Sequence, residues 1–232
     1  MASEERLSVG TRSAASRSAP ERPSESPLEG RRSGRRFTGG GPDGNERLTA
    51  ATGVVLLVLL AVLGVTILRI HPLLSVHMFV GMLLIGPVLL KMSSTGYRFA
   101  RYYTSNPPYR RKGPPPTPMR LLAPLVVIST VVVFGSGVAL LLAGPSSRST
   151  LFPIHKFSFF AWLAFIGLHV LGHLLDLPAP LRADYGANAG IRSREPGRDG
   201  RVLSLAGVLV AGVVLAVLVI PLFGPWINAY HH

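Results

Sequence analysis

The sequence contains no cysteine. A chain without thiols cannot form structural disulfides, iron–sulfur clusters or zinc–thiolate sites. It also cannot attach a haem covalently in the manner of c-type cytochromes. These four kinds of site are therefore excluded.

Acidic residues are missing from the middle of the chain, because no Asp or Glu lies between Arg47 and Leu175. Transport coupled to protons or sodium usually needs a carboxylate within the membrane. A transporter is therefore only a third possibility. The sequence also lacks a Walker A loop, a GxSxG motif and an HExxH motif, so the familiar hydrolytic enzymes have no support.

The chain is 48% hydrophobic and yet has a formal net charge of +13. These values conflict in a soluble domain but suit a membrane protein whose charges lie in its loops. Residues 1–47 hold nine Arg and seven acids with few large apolar residues, which predicts a disordered tail. Because its charge is mixed, we expect no nucleic-acid partner.

Five apolar segments follow the tail. Each has an apolar run of about 19 to 23 residues, long enough to cross roughly 30 Å of hydrocarbon as a helix. The first begins near residue 48, too far along the chain for a cleavable signal peptide. The predicted fold class is an all-α membrane protein, a bundle of five transmembrane helices over residues 48–70, 72–92, 120–143, 153–176 and 202–224.

Basic residues are distributed unevenly among the connections. The tail, the loop from Lys91 to Arg120 and the loop 176–201 together hold 21 of them, against three on the opposite side. The positive-inside rule places the first side in the cytoplasm, so residues 227–232 form a short external C-terminus. The stretch 97–120, with its Arg, Tyr and six Pro, predicts an extended cover on anionic headgroups, or a basic loop with no ligand.

Histidine is the remaining residue type within the membrane segments that can carry chemistry. His77 lies in the second segment, and His155, His169 and His173 lie in the fourth. Ionisable side chains at such depth are usually functional, and a neutral imidazole is a common axial ligand of haem iron.

The spacing of these histidines favours a cofactor between helices. His155 and His169 are 14 residues apart. They therefore lie on one helix face, about 40° apart around the axis, and are separated by roughly 21 Å along it. The second and fourth segments run in the same direction, so His77 and His155 can lie at similar depth and coordinate one iron from opposite sides. Glycines that would leave room for a porphyrin accompany them at positions Gly81, Gly86, Gly135, Gly137, Gly167 and Gly172.

The two histidine-bearing helices resemble the ligand helices of bacterial membrane cytochromes b, of the type found in formate dehydrogenase gamma subunits and hydrogenase cytochrome subunits. The resemblance covers roughly residues 50–176 and is carried by Pro153-Ile154-His155, by Gly167-Leu168-His169-Val170-Leu171-Gly172-His173 and by Ser75-Val76-His77-Met78-Phe79-Val80-Gly81. It implies a helical bundle with a four-helix haem-binding core plus one helix. Such proteins pass electrons between a partner redox protein and a quinone through haem b.

The resemblance implies that His77 and His155 ligate an outer haem and His169 an inner one. The family takes its other inner ligand from a histidine on the first helix, and residues 48–70 contain none. The inner haem is therefore absent, five-coordinate, or ligated by Met92 opposite His169 or His173. Three cations near the inner haem position could ligate its iron or contact its propionates, namely Lys91, Arg98 and Arg101.

Simpler roles for the same histidines stay open. His71 is expected at the membrane interface, and His173 suits a helix-end cation or a partner of Asp176. His77 and His155 could serve only as hydrogen-bond donors between helices. The leading hypothesis is a plasma-membrane electron carrier with one haem b, or two; the alternative is a cofactor-free scaffold or assembly subunit.

Overall fold

The computed structural model describes residues 41–111, 117–173 and 197–231. Within these residues the chain forms helices and turns and no strand. The helices, in chain order, are α1 Gly41–Leu68, α2 Ile70–Tyr103, α3 Pro107–Arg111, α4 Thr117–Ala143, α5 Arg148–His173, α6 Arg198–Leu218 and α7 Phe223–His231, with 3-10 turns at Pro145–Ser147 and Ile220–Leu222.

Five of these helices, α1, α2, α4, α5 and α6, are long and apolar enough to cross a membrane. Many of their large apolar side chains are exposed, among them Leu68, Phe157 and Leu171. A soluble protein would bury such side chains, whereas hydrocarbon solvates them. The predicted all-α fold is confirmed, and the chain is a multi-pass membrane protein.

Two antiparallel helix hairpins form most of the bundle. Arg69 alone separates α1 from α2, and a turn that begins at Gly144 separates α4 from α5. Gly144 adopts a positive φ of 75°, which favours glycine at this position. Both turns lie at the same end of the bundle, which we call the hairpin end; α1 starts and α2 finishes at the opposite, arginine-rich end.

The helices pack in two groups. The first joins α2 to both α1 and α6, and the second is the α4–α5 hairpin. A buried cluster at the hairpin end connects the groups, since it contains residues of α2, α4, α6 and α7: Met82, Leu140, Leu141, Ala216, Phe223 and Trp226. Trp162 and Trp226 are both buried, at 8% and 6% exposed. Both tryptophans therefore pack within the bundle.

Several helix boundaries differ from those predicted. Helix α1 begins at Gly41, so residues 41–47 of the predicted tail are helical. Helix α2 continues to Tyr103, so the extended conformation expected over residues 97–120 is wrong for residues 97–103, and α3 and residues 117–120 of α4 are helical as well. Arg and Ala within residues 98–101 favour helix, and a helix satisfies its own backbone beyond the hydrocarbon. Residues 1–40, 112–116 and 174–196 lie outside the described part.

Glycines bring α2 and α6 into close contact. A β-carbon at Gly86 would collide with the backbone carbonyl of Val208, and one at Gly212 would collide with the carbonyl of Leu83. Small residues at membrane helix crossings allow such an approach. The absence of side chains at these two positions therefore fixes the distance between α2 and α6.

Replacing Gly86 by alanine should destabilise the protein, because the obstructing atoms are backbone and cannot rotate away. We expect a loss of roughly 1–3 kcal/mol, the usual cost of overpacking. The measurement is the thermal unfolding midpoint in detergent. Gly64→Ala is the matched control, since a β-carbon there meets no atom within 4 Å. Equal midpoints for both variants would contradict the close α2–α6 contact.

Candidate functional site

His77 is the eighth residue of α2, near the hairpin end, and its side chain is half-buried. Its Nδ1 lies 2.9 Å from the hydroxyl oxygen of Thr66 on α1. The Thr66 hydroxyl donates its own proton to the carbonyl of Leu63 at 2.6 Å. With that proton engaged, the hydroxyl oxygen can accept from His77, so the bonding pattern favours the tautomer with the proton on Nδ1 and the lone pair on Nε2.

His155 is the eighth residue of α5 and is half-buried at the same end. Its Nδ1 lies 3.1 Å from the carbonyl oxygen of Val133 and 3.1 Å from the hydroxyl of Ser136, both on α4. A carbonyl can only accept, so Nδ1 carries the proton here too. His155 therefore has the same tautomer as His77, with its Nε2 lone pair available.

Gly137 makes room for the His155 ring. A β-carbon at this position would lie 3.1 Å from Cε1 of the imidazole. Because Gly137 follows Val133 by one helical turn, its missing side chain lets the ring reach the Val133 carbonyl. The space beside Gly137, predicted from the sequence for a porphyrin, is therefore occupied by the His155 ring.

The imidazoles of His77 and His155 lie within electrostatic range of each other. Their helices run in the same direction, but α2 packs on α1 and α6 while α5 packs on α4. The two imidazoles thus belong to different packing groups. On the His77 side, a β-carbon at half-buried Gly81, one turn further along, would meet no atom within 4 Å.

The donor chemistry of these two imidazoles suits the axial positions of a haem iron. Iron binds the unprotonated ring nitrogen, and ligating histidines typically donate their other N–H to a carbonyl, carboxylate or water. Across the described ranges, no group of three or more His, Cys, Asp or Glu converges on a point that could hold a metal ion. A haem needs only two protein ligands, because the porphyrin supplies four.

The remaining histidines are placed differently. His71 is exposed at the start of α2, in agreement with an interfacial residue. His169 is half-buried on α5, nearly four turns from His155 toward the arginine-rich end. His173 is the last residue of α5, and its side chain and the nearby Asp176 lie outside what the structure describes.

The residues predicted as possible contacts of an inner haem lie on the second half of α2. The ammonium of Lys91 donates to the carbonyl of Thr49 on α1 at 2.7 Å, so it contacts α1 rather than the histidine-bearing α5. Met92 is half-buried. Arg98 is half-buried on the same helix, and Arg101 lies over the ring of Tyr97 at 5.7 Å.

Sequence reasoning missed the hydrogen-bond partners of the histidines, Thr66, Ser136 and the Val133 carbonyl. A hydroxyl residue within each apolar run was the available signal, because Ser and Thr can bond across membrane helices. A similar link joins Trp162, whose indole N–H donates to the Thr130 hydroxyl at 3.1 Å.

Comparison with known proteins adds no assignment. No protein-family model, no curated protein and no solved structure matches this chain. The likeness to membrane cytochromes b therefore stays a prediction from the residues, and the histidine pair is the candidate functional site.

Proposed function

We propose that this chain is a b-type membrane cytochrome in which His77 and His155 bind one haem through their Nε2 atoms. The single observation that carries the proposal is that the Nδ1 atoms of both imidazoles are hydrogen-bonded within their own hairpins. Each ring donates Nδ1–H to its own hairpin, so each has Nε2 left for a ligand. A bound haem would supply reversible one-electron chemistry at the iron.

In this proposal the protein's own residues orient the two imidazoles and exclude water. Thr66, Ser136 and the Val133 carbonyl hold the two rings in place and raise their basicity as ligands. The apolar cluster at the hairpin end excludes water from the adjacent side chains. Electrons would pass between a partner redox protein and a quinone or another acceptor, in a plasma membrane with the N-terminus in the cytoplasm.

A second candidate is a cofactor-free scaffold or assembly subunit. One observation favours it: each histidine already links the two helices of its own hairpin, α1 to α2 and α4 to α5. These bonds stabilise helix association without any cofactor. The two proposals differ in whether the Nε2 atoms have a ligand.

Purified protein from haem-replete cells should show sharp b-type bands in its reduced-minus-oxidised absorbance spectrum. His77→Ala and His155→Ala should each abolish them, because each removes an axial ligand. His71→Ala, an exposed neighbour on α2, should retain them. The expected haem-to-protein ratio is one, by pyridine haemochrome assay.

A well-folded protein that stays colourless under these conditions would favour the scaffold instead. Bands that survive both alanine substitutions would contradict the assigned ligands. A ratio of two that falls to one in His169→Ala would identify an inner haem as well.

Thr66→Val should perturb the site more than Ser136→Ala. Thr66 provides the only acceptor that the described residues offer to Nδ1 of His77, whereas His155 keeps the Val133 carbonyl when Ser136 is lost. For Thr66→Val we expect haem affinity to fall roughly 10–100-fold and the midpoint potential to rise, since a less basic imidazole stabilises ferric iron less.

Haem transfer to a scavenging protein and a redox titration would measure these two quantities. Thr66→Ser keeps the hydroxyl and should restore both. Equal effects of Thr66→Val and Ser136→Ala would argue against the assigned tautomers.

The orientation can be tested because the chain has no cysteine of its own. Ser146→Cys, in the exposed turn between α4 and α5, should react with a membrane-impermeant maleimide on spheroplasts. Ser18→Cys, in the basic tail, should react only after lysis, since positive residues are retained in the cytoplasm. The reverse labelling pattern would invert the proposed topology, and the unsubstituted chain is the blank.

A further inference from the structure

The ammonium of Lys91 lies between α1 and α2, toward the arginine-rich end. It donates to the Thr49 carbonyl at 2.7 Å, and a β-carbon at Gly53 would lie 3.1 Å from it. The side chain is half-buried. Gly53 thus leaves the space in which this charged group sits against the neighbouring helix.

The polar residues around Lys91 are engaged with one another. Thr49 donates its hydroxyl to Ser94 at 2.9 Å, Ser94 donates to the Lys91 carbonyl at 3.0 Å, and Asn45 donates to the Ser94 carbonyl at 2.9 Å. An ammonium has three N–H donors. Over the described ranges only the Thr49 carbonyl accepts from this one.

No described carboxylate neutralises this charge. Asp43 and Glu46 lie at the start of α1, but among the described residues no carboxylate is paired with Lys91 or Arg98. Arg98 follows Lys91 by seven residues on the same face of α2, and its charge repels the ammonium. Half-buried cations are costly unless an anion accompanies them.

Tyrosines surround the outer part of this region. Tyr97 and Tyr109 meet edge to face with ring centroids 6.0 Å apart, and Tyr109 lies within the electrostatic range of Arg98 and Arg101. Partial burial is the main cause that raises the pKa of Tyr109. Its phenol therefore stays protonated and able to donate a hydrogen bond.

We propose that Lys91 and Arg98 bind a phosphate group at the arginine-rich end of the α1–α2 hairpin. A phosphate has several acceptor oxygens and can take hydrogen bonds from both cations, which are roughly 10 Å apart along the helix before their long side chains extend. Basic pockets between membrane helices bind lipid headgroups in this way. The proposal is independent of the histidine pair.

Native mass spectrometry of delipidated protein, titrated with phosphatidylglycerol or phosphatidylcholine, tests the site. The unsubstituted protein should prefer phosphatidylglycerol, and Lys91→Met should weaken its binding about tenfold, because a charge-assisted hydrogen bond is lost. Lys91→Arg should retain binding. Lys156→Met is the matched control, an exposed lysine near the hairpin end that should have no effect.

A parallel titration with inorganic phosphate alone separates the two sources of this chemistry. Phosphatidylglycerol binding that survives millimolar phosphate assigns a lipid headgroup, whereas stoichiometric phosphate binding that is lost in Lys91→Met assigns a soluble phosphate. Arg98→Gln provides a second variant if Lys91→Met does not fold. Equal lipid binding by Lys91→Met, Arg98→Gln and Lys156→Met would overturn the proposal.

Discussion

A histidine within a bilayer has no water to bond with, so its ring N–H must find an acceptor on a neighbouring helix. In this protein the acceptors for His77 and His155 each lie within the same helix hairpin as the histidine. Thr66 accepts from one ring, and the Val133 carbonyl with Ser136 accepts from the other. These hydrogen bonds favour a proton on Nδ1 in both rings. The proposed ligand binding depends on the unprotonated Nε2 atoms that result.

Helix packing positions the two imidazoles. Close contact through Gly86 and Gly212 fixes α2 against α6, and Gly137 lets His155 sit close to α4. The two imidazoles therefore come from separately packed groups that join in the apolar cluster at the hairpin end. A cofactor held between such groups would also connect them, so a structural role and an electron-transfer role are compatible in physical terms.

The arginine-rich end of the bundle contains permanent cations instead of neutral imidazoles. Histidine at the hairpin end can remain neutral, but Lys91 and Arg98 carry charge and, among the described residues, no carboxylate is paired with either. Retention of basic loops explains why cations accumulate at this end. Loop retention does not explain why the Lys91 ammonium is directed between two helices. Binding of a phosphate group explains this placement more economically.

The sequence by itself determined the five membrane helices, the antiparallel order within the hairpins and the placement of His77 and His155 at the same end of their helices. Apolar run length and helical periodicity depend only on local spacing, so these features could be read without coordinates. The run lengths did not determine the helix ends, because α1 and α2 continue beyond the apolar core, where a helix still satisfies its own backbone hydrogen bonds.

Only the tertiary structure decided the ring tautomers, the α2–α6 glycine contact and the direction of the Lys91 side chain. Each depends on an atom of another helix: the Thr66 hydroxyl, the Val208 carbonyl and the Thr49 carbonyl. Periodicity identifies which face of a helix a residue occupies. It cannot specify which acceptor on which neighbour that face will meet, because this follows from the packing of the whole bundle.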